Sequence, residues 1–203
     1  MYSIWGKKSK EAEAEKKKPR TSAAQIRVQK GANPSISPLH LVVEPALLLT
    51  TFICLDLAEL DIPDTIKLDF PDPSNILNFN VTIHPDEGFY TRGLFKFTFA
   101  INTNYPHEPP KVHCTQKIYH PNIDLEGNIC LNILREDWKP VLSLQAVLVG
   151  LQYLFLEPNA DDPLNKAAAE VLRHNRSTFE ANVKKSIVGG SFDGIQYDNV
   201  LAK

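Results

Sequence analysis

The sequence predicts an α+β fold, with an antiparallel sheet first and helices after it. In residues 77–83 and 95–99, apolar side chains alternate with polar ones, and this period of two is typical of strands with one buried face. From Ser143 onward, apolar residues recur at intervals of three and four, which predicts an amphipathic helix. Strands followed by helices indicate the α+β class.

The elements can be placed in order along the chain. The four predicted strands are residues 65–70, 77–83, 95–99 and 111–115. Turn-rich segments separate them, which favours an antiparallel meander. The helix after Ser143 ends at a Pro-Asn-Ala-Asp-Asp-Pro loop, and residues 164–188 predict one long or two shorter helices that stop at Gly189-Gly190.

The chain divides into an extension, one domain and a tail. Residues 1–20 carry mixed lysines and glutamates behind a short apolar tip, which predicts a solvated tether or, alternatively, an arm that binds polyanions. Residues 21–188 have the length of one domain, and the apolar fraction of the chain, 43%, is ordinary for a globular protein. We interpret residues 189–203 as a C-terminal tail.

Residues 31–55 interrupt the first predicted helix. Residues 21–30 begin like a helix, the prolines of residues 31–55 make a continuous helix untenable, and helical character returns at residues 56–60. Without the interruption, the two helical pieces would share one apolar face. The segment is either a genuine lineage-specific loop or an unspliced intron translated in frame, and transcript sequencing distinguishes the two.

Composition argues against several classes of function. The formal charge of −2 provides no field that favours nucleic acid. The cleanest apolar run, residues 46–55, is about half of the roughly 20 residues that a membrane helix needs. Cys54, Cys114 and Cys130 show neither zinc-like spacing nor a disulfide framework. We therefore expect no bound metal, nucleic acid or membrane, and reduced thiols in the cytoplasm or nucleus.

The richest chemistry lies in residues 120–138, around Cys130. A His-Pro-Asn turn ends at Asn122, eight residues before this cysteine, and Trp138 follows eight residues after it. A cysteine in this setting can carry an acyl group as a thioester, and a neutral amide nearby can donate to a developing oxyanion. Cys54 and Cys114 lack such a context, and we interpret them as small apolar residues.

This segment resembles the ubiquitin-conjugating enzyme family. The motifs at residues 105–111 (Tyr-Pro-His-Glu-Pro-Pro-Lys) and 157–164 (Glu-Pro-Asn-Ala-Asp-Asp-Pro-Leu) follow the family's order and spacing. The resemblance covers residues 21–30 and 56–188. It implies the ubiquitin-conjugating fold, with an N-terminal helix, a four-stranded antiparallel meander and C-terminal helices. It also implies an aminoacyltransferase without a bound cofactor, since an upstream activating enzyme consumes the ATP.

The resemblance implies a role for each matching site residue. Cys130 accepts the C-terminal glycine of a ubiquitin-like modifier, and a substrate lysine then attacks the thioester, whose thiolate is a good leaving group. Asn122 donates to the oxyanion or holds the active-site loop. Asp162 orients the incoming lysine, its alternative role being a helix N-cap. His120 is implied to make a structural hydrogen bond and not to act as a general base. Asn132, two residues after the cysteine, matches the family position that acts as a gate to the active site.

Two further stretches are implied to face the ligase. His107 and Glu108 fall in the first ligase-binding loop, where many relatives carry a bulky apolar residue. Pro140 lies near the same surface, and Trp138 is expected to be structural.

The chain looks most like the branch that conjugates the Nedd/Rub modifier to cullins. The similarity lies in residues 85–90, 130–140 and 162–165 and in the N-terminus, Met-Tyr-Ser-Ile-Trp followed by a charged tether. The partners this implies are the Nedd/Rub modifier, its heterodimeric activating enzyme, a RING-type ligase, a Dcn-type co-ligase and cullin substrates. Protein neddylation in the cytoplasm and nucleus is the function implied.

The same branch implies a role for the apolar tip. Tyr2, Ile4 and Trp5 would dock into a groove on the activating enzyme, and an acetylated Met1 would enter the pocket of the co-ligase. The sequence departs from the usual pattern at Tyr2, which replaces an aliphatic residue. The alternative is an apolar tip that binds other surfaces non-specifically.

Three other functions compete with this interpretation. The chain could be a ubiquitin-conjugating enzyme of another branch, or a binding adaptor whose loading is impaired by residues 31–55. Adaptors of this kind typically lack the cysteine, so Cys130 argues against a non-catalytic role. A cysteine hydrolase would need a histidine and an acid beside the thiol, and no recognisable arrangement of that type accompanies Cys130.

Overall fold

The computed structural model describes residues 45–202. Its helices are α1 (Pro45–Ala58), α2 (Leu144–Leu156), α3 (Lys166–His174) and α4 (Arg176–Ile187). Its strands are β1 (Ile66–Asp69), β2 (Asn78–Ile83), β3 (Phe95–Ala100), β4 (Lys111–Cys114), β5 (Ser191–Phe192) and β6 (Ile195–Gln196). The predicted extension 1–20 and the predicted helix 21–30 lie outside the described residues.

The first four strands form the predicted antiparallel meander. They are hydrogen-bonded in the order β1-β2-β3-β4, and β2 pairs with β3 along its whole length, from Asn78 opposite Ala100 to Ile83 opposite Phe95. Both central strands alternate buried and more exposed residues. One face of the sheet therefore belongs to the core, as the period of two predicted.

Helix α2 packs against the buried face of this sheet. Its buried side is the predicted apolar stripe, Leu144, Val147, Leu148, Leu151, Leu154 and Phe155. The Phe155 ring stacks on Phe95 at 4.3 Å between centroids and meets Tyr90 edge to face. Phe155 also meets the His120 ring edge to face, which places the C-terminal end of α2 beside the loop that carries the His-Pro-Asn turn.

Helix α1 differs from the prediction at residues 45–55. It runs unbroken from Pro45 to Ala58, so the expectation that helical character returns only at Asp56 is wrong. The physical reason is that proline is tolerated in the first turn of a helix, where its missing N–H has no intrahelical partner. Leu49, Ile53 and Asp56 are buried at helical spacing. The interpretation of residues 31–55 as an insertion stays a prediction.

The outer side of α1 is unusually apolar. Leu47, Leu48 and Leu55 are exposed by 60%, 47% and 42%, whereas a surface helix normally carries polar residues there. Within residues 45–202, no helix is both long and apolar enough to cross a membrane. If residues 31–55 are removed, residues 21–30 take the places of residues 46–55 along the helix, and the exposed leucines become Ser22, Ala23 and Lys30.

We expect deletion of residues 31–55 to raise the melting temperature and the rate of loading by an activating enzyme. A serine, an alanine and a lysine would replace the three exposed leucines, while the buried places of Leu49 and Ile53 would pass to Ala24 and Val28. The smaller buried side chains oppose the gain in stability. Thermal melts and timed loading reactions of both forms measure the balance. Equal or better performance by the intact chain would show that the segment belongs in the protein.

The C-terminal segment is not a free tail. Strands β5 and β6 pair as a hairpin, and Tyr197 and Val200 beyond them are 3% and 4% exposed. The Val200 carbonyl accepts from the Leu94 N–H at 2.7 Å, and its N–H donates to the Ile187 carbonyl at 2.9 Å. The prediction of a separate tail at 189–203 is therefore wrong for residues through 202, because two buried apolar side chains and these hydrogen bonds fix the segment to the domain.

Candidate active site

Cys130 lies in the long connection between β4 and α2. Its backbone N–H donates to the Asn122 carbonyl at 2.7 Å, which joins the His-Pro-Asn turn to the cysteine. The residue is 6% exposed and lines a hollow of about 270 Å³. The other residues lining this hollow are Asn122, Leu131, Asn132, Ile133, Tyr153, Leu154, Glu157, Asn159 and Asp162.

The carboxylate of Asp162 is the polar partner of the thiol. Cys130 Sγ donates to Asp162 Oδ2 at 2.9 Å. The alternative role of Asp162 as a helix N-cap does not match the structure, since α3 begins at Lys166 and the Asn165 side chain accepts from the Ala168 N–H. The carboxylate is therefore directed at the candidate nucleophile and is not used by the helix.

Asn122 fixes the loop that carries this carboxylate. Its Nδ2 donates to the carbonyls of Asn159 and Asp162 at 2.8 and 3.1 Å, and its Oδ1 accepts from the Asn159 N–H at 2.9 Å. The side chain is 1% exposed. Both amide hydrogens are thus occupied by backbone carbonyls, and the arrangement matches the loop-holding alternative for Asn122.

His120 is held in one tautomer. Nδ1 accepts from the Asn122 N–H at 2.9 Å, so the proton resides on Nε2, which donates to the Leu154 carbonyl at 3.0 Å. The ring is fully buried and stacks on Tyr90 at 4.9 Å. Burial lowers the pKa of His120 to about 4, against a smaller opposing effect of the Leu154 hydrogen bond. With both nitrogens engaged, the imidazole is structural in this arrangement.

We expect His120 to make the protein sensitive to acid between pH 6.5 and 4. Above pH 6.5 the imidazole is neutral in both states, so its contribution to stability is fully present. Below pH 6.5 the imidazole becomes protonated in the unfolded chain, whereas in the folded chain it stays neutral down to about pH 4. The free energy of unfolding therefore falls by roughly 3 kcal/mol across this window. Urea melts of wild type and His120→Asn at several pH values measure the difference. The exposed His84, replaced by Asn, is the matched control, and a wild-type profile parallel to that of His120→Asn would contradict the expectation.

The thiol of Cys130 is held in its protonated form. Burial and the hydrogen bond to Asp162 raise its pKa to about 11, while the guanidinium of Arg135 acts in the opposite direction. Arg135 follows the short 3-10 turn Asn132–Leu134 and was missed by sequence reasoning. A basic residue a few positions after a candidate cysteine is the signal that could have identified it.

Two substitutions are expected to move the pKa of Cys130 in opposite directions. Asp162→Asn removes an acceptor and a negative charge, so the alkylation profile of the thiol shifts to lower pH. Arg135→Gln removes a nearby cation and shifts the profile to higher pH, each by about one pH unit. Rates of iodoacetamide modification from pH 7 to 11 provide the measurement. Asp161→Asn, an exposed change in the same loop that does not touch the thiol, is the control, and shifts of the same sign in both variants would refute the assignment.

Comparison with known proteins identifies the family to which this site belongs. The sequence model described as ubiquitin-conjugating enzyme matches residues 54–187. The chain belongs to the ubiquitin-conjugating enzyme family. It is 54% identical to the NEDD8-conjugating enzyme UBC12 of Yarrowia lipolytica over 204 residues, covering 100% of each chain. It is 50% identical to the Nedd8-conjugating enzyme UbcE2M of Drosophila melanogaster, covering 91% of this chain and 88% of that protein.

A solved structure agrees in fold. S. cerevisiae Ubc12 superposes with a TM-score of 0.71 at 41% identity, covering 88% of this chain and 95% of that one. The predicted ubiquitin-conjugating fold, with its four-stranded meander and C-terminal helices, is confirmed. In this family member the segment 164–188 forms the two shorter helices of the two alternatives predicted.

The two predicted ligase-facing loops lie side by side in this ubiquitin-conjugating enzyme. Trp138 Nε1 donates to the Pro106 carbonyl at 2.9 Å. This hydrogen bond joins the loop after Cys130, which contains Pro140, to the loop that contains His107 and Glu108. His107 and Pro140 are exposed on these loops. Glu108 accepts from the side chains of Asn102 and Asn104 at 2.9 and 2.7 Å, so its carboxylate stabilises its own loop.

The structure also places at the site two residues to which the sequence assigned no role. Tyr153 and Glu157 line the Cys130 hollow, and the Tyr153 hydroxyl donates to the Glu157 carboxylate. Tyr153 is 56% exposed because it lies on the outer side of α2, away from the buried apolar stripe that faces the sheet. The predicted docking residues Met1, Tyr2, Ile4 and Trp5 lie outside the described residues.

Proposed function

We propose that this conjugating enzyme carries Nedd8 as a thioester on Cys130 and transfers it to a lysine of cullin-type substrates. The observation that supports the proposal is the Cys130–Asp162 hydrogen bond of 2.9 Å, on a loop that Asn122 fixes. Relatives with 48–54% identity over nine tenths or more of the chain carry the name of Nedd8-conjugating enzymes.

Loading is a transthiolation. The Cys130 thiolate attacks the carbonyl carbon that joins the modifier's C-terminal glycine to the activating enzyme's cysteine, a new S–C bond forms, and the other thiolate leaves. The step exchanges one thioester for another, so it needs no cofactor on this chain, the ATP having been used upstream. A raised thiol pKa makes the thiolate scarce but intrinsically more nucleophilic.

Discharge is an aminolysis in which Asp162 changes partner. Once Cys130 is acylated, Sγ has no proton to donate, and Asp162 Oδ2 loses the donor that it has in the free enzyme. The carboxylate is then available to accept from the amine of the incoming lysine and to orient its lone pair. The amine attacks, the S–C bond breaks, Cys130 leaves as a thiolate, and the amine proton passes to Asp162 or solvent.

The partners and the location of the reaction are part of the same proposal. A heterodimeric activating enzyme would receive the tip formed by Tyr2, Ile4 and Trp5, and a Dcn-type co-ligase would receive an acetylated Met1. A RING-type ligase would contact the loops of His107 and Pro140, which are exposed and adjacent. Asn132 would act as the gate of the Cys130 hollow, which it lines. Cytoplasm and nucleus are the compartments in which this reaction would take place.

Loading reactions with purified components test the proposal. The intact chain is incubated with ATP and either the Nedd8 activating enzyme with Nedd8 or the ubiquitin activating enzyme with ubiquitin. A thiol-reducible adduct with Nedd8 is the expected result. An adduct with ubiquitin alone would reject the branch, and release of free modifier without an amine acceptor would favour a hydrolase.

A further inference from the structure

The hollow at Cys130 continues into a groove that the reaction above does not use. It shares Tyr153 and Glu157 with a second hollow, of about 430 Å³. A third hollow of about 400 Å³ extends the second. The second and third share three lining residues, Phe89, Leu156 and Arg176. These two hollows together are named the Arg176 groove.

Aromatic contacts form the floor of the Arg176 groove. The Phe89 ring rests edge to face on the buried Phe179 at 5.1 Å, and the Arg176 guanidinium lies over Phe89 at 4.6 Å from the ring centroid. Gly88, with φ of +79°, brings the Phe89 loop so close to α2 that a Cβ there would lie 3.2 Å from the Leu156 carbonyl oxygen. The guanidinium is therefore held in place before any ligand arrives.

The charges of the groove favour an acidic occupant. Of its two carboxylates, Glu157 accepts from the Tyr153 hydroxyl and Glu180 is paired with Lys184 at 2.6 Å. Within residues 45–202, no carboxylate oxygen lies within 4 Å of the Arg176 guanidinium, although Arg176 makes a minor contribution, after Lys184, to lowering the pKa of Glu180. A planar guanidinium stacked on a ring keeps its edge free, which is the geometry for a bidentate contact with a carboxylate.

The dipole of helix α4 does not explain Arg176. It is the first residue of that helix, after the Asn175 cap, and the first turn contains no acidic residue. A cation at this end opposes the helix dipole. Glutamate at position 176 would favour the helix dipole, but it would remove the contact with Phe89 and place a like charge four residues from Glu180. A thermal melt of Arg176→Glu therefore accompanies every functional measurement on that variant.

The groove adjoins the loop that carries Asp162. The loop from Glu157 to Asp162, which presents the carboxylate proposed to orient the lysine, forms part of its wall through Pro158 and Ala160. Arg173 donates to the Ala160 carbonyl and so fixes that wall. We propose that the Arg176 groove binds an acidic segment next to the target lysine of the acceptor protein, with Arg176 as the specificity-determining residue. This inference rests on the proposed function.

Discharge of the preformed thioester to short synthetic peptides tests the inference. Each peptide contains one lysine, with glutamates at successive positions on either side, and each has a matched version with glutamines. For wild type at low salt we expect the best glutamate peptide to exceed its glutamine partner on the order of tenfold in kcat/KM. Arg176→Gln should abolish the preference and Arg176→Glu should reverse it, with discharge to free lysine as the internal reference of each variant. Lys67→Glu, the same charge change on the exposed face of β1, is the matched control and should keep the preference.

Equal rates for the two wild-type peptides, or a preference that survives in Arg176→Glu, would overturn the inference. Binding of the glutamate peptide to the unloaded full-length chain, followed by NMR shifts at Phe89, Tyr153 and Arg176, examines the groove without thioester chemistry. Failure of loading with intact peptide binding would count against the proposed function alone. Peptide shifts confined to other surfaces would count against the groove.

Discussion

Cys130→Ala is expected to abolish the thiol-reducible adduct with the modifier, because a single sulfur atom forms and releases the acyl bond. The fold is expected to survive, since the Cys130 side chain faces Asp162 and the hollow and contributes little to the sheet–helix core. Cys130→Ser is expected to give an oxyester that withstands thiol reductant. Loading reactions run on non-reducing gels, with and without reductant, measure both variants.

The other two cysteines provide the controls for this experiment. Cys54 is exposed on α1, and Cys54→Ala is expected to load like wild type. Cys114 is buried in β4, where burial raises the pKa of its thiol to about 11, and it is not among the residues lining the Cys130 hollow. An adduct that persists in Cys130→Ala and disappears when Cys54 is also replaced would overturn the assignment of the nucleophile.

Asn122→Ala is expected to slow discharge of the thioester by about 10²–10³-fold, the scale known for loss of one oxyanion donor. Here the structural reason is different. The substitution leaves the Asn159 N–H and the carbonyls of Asn159 and Asp162 without their side-chain partner in a partly buried site, so the loop that carries the Asp162 carboxylate loses its anchor. Single-turnover discharge to lysine measures the effect.

Hydrogen exchange separates the two roles proposed for Asn122. A loop-holding side chain predicts faster exchange at residues 157–162 in Asn122→Ala and a changed pKa of Cys130, because Asp162 is displaced. A pure oxyanion donor predicts slow discharge with an undisturbed loop. Asp161→Asn, an exposed change in the same loop, should leave exchange and discharge unaltered, and unchanged exchange in Asn122→Ala would reject the loop-holding role.

The local sequence pattern predicted helices and strands correctly where one side of the element is buried and the apolar residues recur with the period of that element. Residues 77–83 alternate because one side of β2 faces the core, and α2 shows its stripe because one side faces the sheet. The pattern failed at Pro45, where position within the helix decides whether proline is tolerated. It also failed at Tyr197 and Val200, which are buried by contacts between distant parts of the chain. Val200 is hydrogen-bonded to Leu94 and Ile187, and the Tyr197 ring packs against Tyr119.

The sequence by itself determined the chemical groups of this site: a cysteine with no second thiol near it, a His-Pro-Asn turn and an acidic loop, in the order and spacing of one family. Only the tertiary structure decided their partners. Asp162 meets the thiol across 32 positions of chain, and Asn122 reaches carbonyls 37 and 40 positions away. Spacing along a chain fixes local geometry alone, whereas a hydrogen bond between distant loops depends on how the core beneath them packs.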